Sequence, residues 1–299
     1  MTLLNDPASL PSPMWAVTRF LLSAGGRFPA EDARALLCPP SLLPGRQTDR
    51  DNTFTWAVRT LRDLGLVATD DDHLTLTPPA RQLTVEDVAG FSDLLRVAVL
   101  DADRNAGLRE DSNQTGPKDL VRALSWFLTL DAYTPFGLGD VTRLQEGALA
   151  SHFPNPIVND TRWSRFGFWG PALGLVAQPV LDTGRTGLML VADCTAAVRR
   201  TMLAIWAKGD QVDAEDAVDR ILEELPVLPG GLYSRLLDLP APTNVASCLS
   251  LAMLRGEAEG WLSFGSPSDA SREVLLADPD AVSGTRQVGV ITISRGLDD

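Results

Sequence analysis

The 299-residue chain is poor in the side chains that usually carry catalysis or metal binding. It has two histidines, His73 and His152, too few for a histidine-built metal centre or for repeated nucleophile–base chemistry. Its three cysteines, Cys38, Cys194 and Cys248, lie far apart in sequence and form neither a disulfide framework nor a Cys-x-x-Cys pair. Lysine is scarce as well, with only Lys118 and Lys208, so nearly all positive charge is arginine. No apolar run reaches the 18 residues of a membrane helix candidate. The opening Met1-Thr2-Leu3-Leu4-Asn5-Asp6 lacks the basic region and apolar core of a signal peptide. A cytoplasmic protein with reduced thiols is the expectation.

Catalytic signatures are missing too. There is no phosphate-binding loop, no His-Glu-x-x-His and no Gly-x-Ser-x-Gly. Gly137-Leu138-Gly139 lacks the third glycine and the preceding strand of a dinucleotide site. A nuclease would need several acids converging with a lysine, and neither lysine has that setting. The acidic run Asp213, Glu215, Asp216, Asp219, Glu223, Glu224 reads as solvated helix charge rather than a metal site. A non-enzyme without cofactor or metal is expected.

What is present is apolar content of 44%, enough for real cores, and a net charge of −13. That charge argues against a general polyanion binder. It is unevenly spread: residues 1–82 and 117–193 each carry net −1, while 83–116, 194–240 and 241–299 carry −4, −3 and −4. Two blocks are near neutral, and the acid sits in the connectors and the C-terminal part.

The stretch Thr48 to Arg81 has the grammar of the back half of a winged helix. A helical pattern through Phe54, Val58 and Leu61 reaches Leu64-Gly65-Leu66-Val67, where Gly65 fits a helix C-cap. Asp70 to Asp72 then separate this apolar run from the alternating His73-Leu74-Thr75-Leu76-Thr77, as in a hairpin. Upstream, Pro13 to Leu22 predicts a helix capped by Ser12 and ended by Gly25-Gly26. A short helix from Pro29 to Leu37 is stopped by Pro39-Pro40, and a loop from Pro44 leads into the third helix at about Asp49.

The grammar recurs downstream. Helices are expected over Lys118–Leu130 and Leu138–Ala150, and a third runs from Asn159 or Asp160 through Trp163, Phe166 and Trp169. Leu173-Gly174-Leu175-Val176-Ala177 echoes Leu64-Gly65-Leu66-Val67-Ala68 and precedes an expected strand, Leu188–Val191, which suggests an internal repeat. A weaker third copy would comprise a helix over Asn244–Leu254, a strand at Gly260–Phe264, a turn at Ser266–Ala270 and strands at Glu273–Ala277 and Gln287–Ser294. The expected fold is therefore α+β, mostly α: tandem winged helices over 1–82, 117–193 and 241–299. They are joined by a helix over Val85–Ala106 with a flexible linker (83–116) and by a helical connector (194–240). The apolar stripe Val88, Phe91, Leu95, Val99 would either pack internally or pair two copies as a homodimer.

Residues that could meet DNA follow from this fold. On the third helix, Arg50, Asn52, Thr55, Arg59 and Arg62 fall mostly outside the apolar stripe and are types that contact bases and phosphates. Arg46 and Arg81 would flank them on phosphate. In the second block Arg162 and Arg165 border the Trp163–Phe166–Trp169 stripe, itself expected to be core. Arg199-Arg200 reads as a solvated helix face. Asp49, Asp51, Asp63 and the acidic turn Asp70–Asp72 work against duplex contact, so a protein-interaction scaffold stands beside the DNA reader. A transcriptional regulator would need a ligand domain, and none is evident.

The opening Leu4-Asn5-Asp6, then Leu10-Pro11-Ser12-Pro13 with its helix, and the stretch Cys38-Pro39-Pro40-Ser41-Leu42-Leu43 resemble the start of accessory proteins from bacterial DNA-modification and phage-defence islands. They are similar in particular to the DpdG-type component of 7-deazaguanine-in-DNA clusters. The resemblance covers the first domain and its motifs are short. It implies a non-catalytic component acting on double-stranded DNA with separate enzymes and protein partners, and it brings no catalytic residues.

Overall fold

The computed structural model describes residues 2–5, 8–39, 47–110, 116–146, 148, 155–181, 183–265 and 273–297, with side chains from residue 53 onward in the helix that begins at Gln47. The fold is α+β, helical for the most part, with small antiparallel sheets.

The first unit opens with α1 (Pro11–Ser23), whose Met14, Val17, Thr18 and Leu21 face inward at helical spacing. The helix starts ahead of the expected Ser12 cap: Pro11 sits in the first turn, and Leu10, at the cap position, makes no side-chain bond. Gly25 and Gly26, both at positive φ, turn the chain into β1 (Arg27–Pro29), a strand too short to leave a sequence signal. α2 (Ala30–Leu37) and α3 (Gln47–Asp63) follow, then β2 (Val67–Asp70) and β3 (His73–Leu76). The two strands pair across Asp71 and Asp72, whose φ of 44° and 62° make a two-residue turn that aspartate tolerates. The sheet order is β1-β3-β2.

After α4 (Pro78–Arg81) comes α5 (Val88–Leu100), capped by Asp87, whose carboxylate accepts from Gly90 N at 2.7 Å. The expected helix to Ala106 ends six residues early. The Asn105 amide donates to the carbonyls of Val99 and Asp101, each at 2.8 Å, and so takes up the last acceptors. Phe91, Leu95 and Val99 are buried within the chain, and the Phe91 ring lies 5.1 Å from that of Trp15, so these three members of the stripe pack internally while Val88 at its start is exposed.

The middle of the chain is helical: α6 (Lys118–Phe127), α7 (Leu138–Gln145) and α8 (Asp160–Ala172), the last capped by Asn159. Every residue of α6 is buried, and Phe127 at its end contacts the rings of Trp126, Phe136, Trp163 and Phe166. The strand expected at Leu188–Val191 is reduced to two isolated bridges, Phe136 with Leu190 and Ala177 with Val191. Pro135 and Pro179 withhold donors beside these bridges, so no ladder extends.

The last part holds α9 (Thr195–Ile205), β4 (Gln211–Asp213), α10 (Ala214–Glu224), α11 (Leu232–Leu236), α12 (Ser247–Glu259), β5 (Leu262–Gly265), β6 (Val274–Ala277), β7 (Thr285–Val288) and β8 (Val290–Ile293). β4 interrupts the stretch expected to be helical. The sheets are β4-β8-β5 and the pair β6-β7. Cys194 and Cys248, distant in sequence, meet where α9 and α12 begin, and the Cys194 thiol donates to the Cys248 carbonyl at 3.3 Å.

Residues near the start of the chain tie the first unit to the middle. The amides of Leu3 and Leu4 donate to the two oxygens of Asp119 at 3.0 and 2.8 Å. Arg165 donates to the carbonyls of Leu3 and Ala8, Arg162 to the Asn5 side chain at 3.0 Å, and Ser9 N to the Thr60 hydroxyl of α3 at 3.0 Å. Burial pushes the Asp119 carboxyl above its usual range, against the pull of three amide donors and Arg162.

Two outcomes follow from this packing. Asp119→Ala leaves two buried amides without acceptors and should lower unfolding free energy by about 2–4 kcal/mol in urea titration. In native protein, disulfide-exchange reagents should titrate Cys38 alone, with Cys194 and Cys248 reacting only after denaturation. The Cys248 thiol beside it, and then burial, push the Cys194 thiol far up, which disfavours the reactive thiolate.

Candidate nucleic-acid interface

Helix α3 presents the best-defined polar face. Its buried side, Phe54, Ala57, Leu61 and Leu64, packs on the core, and Thr55, Arg59 and Arg62 are exposed on the other side. Asn52, Thr55, Arg59 and Arg62 are spaced three, four and three residues apart, which places them in one stripe. Among the described residues the side chains of Arg59 and Arg62 make no ion pair and no hydrogen bond.

The other candidates divide. Arg50 precedes Phe54 by four residues and so shares the register of the apolar stripe rather than that of Arg59. Arg46 lies outside the described residues, as do the side chains of Arg50 and Asn52. Arg81 is exposed, but its Nε donates to the Leu76 carbonyl at 2.8 Å and its stem lies over Gly26, so it braces the end of the hairpin. Arg162 and Arg165 do a different job from the one expected. Arg165 is buried, and both arginines spend their donors on the segment around Leu3 to Ala8, with Arg162 also donating to the Pro156 carbonyl at 2.9 Å. The stripe beside them, Trp163, Phe166 and Trp169, is buried as expected.

Acid limits the field at α3. Asp63, four residues after Arg59, is exposed on the same face, and Asp70 to Asp72 are exposed at the hairpin tip. Arg27 approaches Asp70 only loosely, at 3.9 Å. One residue that sequence reasoning missed is Arg104, whose guanidinium donates to the carbonyls of Asp63 and Leu64 at 3.2 and 3.0 Å. It thereby caps α3 from forty residues away, a contact with no local signal.

Elsewhere the charge is cancelled. A cavity of about 910 Å³ between α8 and α9 is lined by Phe168, Leu203, Asp193, Arg199, Arg200 and Glu259. Arg200 is paired with Asp93 on α5, and Arg199, on the solvated side as expected, lies 3.9 Å from Glu259. Asp93 also holds Arg96, which reaches the Leu173 carbonyl at the end of α8. Among the described residues no cluster of three metal-capable side chains occurs, and no helix is long and apolar enough to cross a membrane.

A family model described as DpdG-like matches residues 1–270. No curated protein and no solved structure matches the chain. A component of a DNA-modification system fits this match. With nine-tenths of its length covered, the chain belongs to the DpdG-like family.

Proposed function

We propose that this chain is a non-catalytic DNA-binding component of a bacterial DNA-modification system, and that its first unit is a winged helix that lays α3 against duplex DNA. In this reading Arg59 and Arg62 contact phosphate or guanine edges, with Thr55 and Asn52 beside them. The observation that carries it is the state of the arginines. Most others are committed inside the chain, to carboxylates as in Arg96, Arg200, Arg220 and Arg286, or to carbonyls as in Arg81, Arg122 and Arg165. Among the described residues Arg19, Arg59, Arg62 and Arg295 are exposed without a side-chain partner, and of these Arg59 and Arg62 alone sit together, one turn apart on one helix face.

The acidic remainder of the chain disfavours indiscriminate duplex contact and suits docking to partner proteins of the same system. A second reading, a protein-interaction scaffold, draws support from Asp63 and the acidic hairpin tip on the same unit. Its partner would carry basic charge.

Fluorescence anisotropy with mixed-sequence duplexes at two salt concentrations separates the two. Binding should weaken with salt and fall about tenfold or more in Arg59→Ala/Arg62→Ala. Folded protein that binds no duplex at low salt would overturn DNA reading and leave the scaffold.

A further inference from the structure

The first and last parts of the chain share one construction, bond for bond. Helix, short strand, helix, helix, strand, strand run through α1-β1-α2-α3-β2-β3 and again through α9-β4-α10-α12-β5-β8, with α11 and the pair β6-β7 as additions. Both sheets have the first, last and middle strands in that order. Arg27, Phe28 and Pro29 face Thr75, Leu74 and His73 as Gln211, Val212 and Asp213 face Thr292, Ile291 and Val290.

Isolated backbone bonds match as well. Leu76 N to Gly26 O at 2.8 Å corresponds to Ile293 N to Asp210 O at 2.9 Å, and Ala30 N to Asp72 O at 2.8 Å to Ala214 N to Gly289 O at 2.9 Å. Thr77 N to Leu66 O at 3.1 Å corresponds to Ser294 N to Trp261 O at 2.9 Å. The helices α3 and α12 end alike, on Gly65 at φ 73° and Gly260 at φ 74°. The second helices open on the same four residues, Ala30-Glu31-Asp32-Ala33 and Ala214-Glu215-Asp216-Ala217.

This match of topology and register joins the first unit to a part of the chain that includes the third copy expected over 241–299 and begins earlier, at α9. It maps Asn52, Thr55, Arg59 and Arg62 of α3 onto Ser247, Ser250, Leu254 and Glu257 of α12. Each member of that second stripe is taken up inside the chain. Ser247 Oγ bridges the Leu130 carbonyl and the Ala132 amide, both at 3.3 Å. Ser250 Oγ donates to the Val245 carbonyl at 3.1 Å and accepts from Ala277 N of β6 at 2.9 Å. Leu254 packs against the core. Glu257 takes both terminal nitrogens of Arg286 on β7, at 2.5 and 2.9 Å.

We infer that the chain carries two copies of one unit, and that in the second copy the hairpin β6-β7, set between its two wing strands, together with the Leu130–Ala132 backbone, covers the helix face corresponding to the proposed duplex surface. Duplex contact is then confined to the first copy, and each chain carries a single reading face. The confinement rests on the reading of α3 given above; the seal does not.

Matched charge reversals in the full chain test both parts. Arg62→Glu, on an open face, should leave the melting temperature unchanged and reduce duplex binding about tenfold or more. Glu257→Arg, at the corresponding sealed position, should lower the melting temperature by several degrees and leave the duplex affinity of the folded protein unchanged. Glu257→Gln is the milder variant should the reversal not fold, with a smaller drop expected. An unchanged melting temperature in either Glu257 variant would overturn the seal. Tighter duplex binding by Glu257→Arg would overturn the confinement to the first copy. Wild-type protein that binds no duplex would sink DNA reading alone, and the melting contrast would still judge the seal.

Discussion

A stretch of backbone that runs between packed layers without regular structure must find partners for each of its amides and carbonyls. Leu3, Leu4 and Ala8 are in that position: Asp119 accepts from the amides of Leu3 and Leu4, and Arg165 donates to the carbonyls of Leu3 and Ala8. Asp119 is held on an entirely buried helix, and its ionised form is costly there. Three amide donors and the nearby Arg162 offset that cost. The same segment reaches Thr60 on the buried side of α3. The orientation of the exposed stripe on α3 is therefore coupled to polar groups in the middle helices, although none of them is near the stripe itself.

That coupling explains how arginine is used in a chain with two lysines. A guanidinium has five donors in a planar fork and can satisfy two carbonyls at once, which an ammonium does less well. Arg104 and Arg122 each do this for segments that would otherwise end in unmet acceptors. Arginines on an apolar border, such as Arg165, were candidates for a ligand only because sequence shows the residue type and not the backbone that comes to meet it.

What was legible in the sequence was local. Gly65 as a helix stop, Asp71-Asp72 as a turn and Asn159 as a cap each act through their own backbone, and each is where the residue type predicts. The stripe Phe54–Leu61 was equally plain because its period of 3.6 follows from burial on one side. β1 and β4 were invisible because three residues cannot display a period, and their pairing partners lie more than forty residues away. The absence of a strand ladder among the described residues of the 117–193 block has a related reason. Leu173-Gly174-Leu175 copies the helix-ending motif, but a motif of helix termination says nothing of whether a three-stranded sheet follows. The correspondence inferred between the first and last parts of the chain lies in pairing register, which leaves few marks on side chains.

The sparse charge on α3 has a consequence for how the protein would work. The two arginines left free among the described residues of α3 would neutralise about two phosphates, so in the proposed reading the salt dependence should have a slope near −2 on logarithmic axes, far below that of a self-sufficient repressor. Asp63 and the acidic hairpin tip reduce the attraction further. A face of this strength cannot hold a duplex alone at physiological salt. If it reads DNA, it does so while something else supplies affinity, and a second chain or a partner enzyme on the same duplex raises the effective concentration enough. An acidic body with one weak reading face is thus suited to assembly on DNA that a partner already holds, and poorly suited to searching for a site by itself.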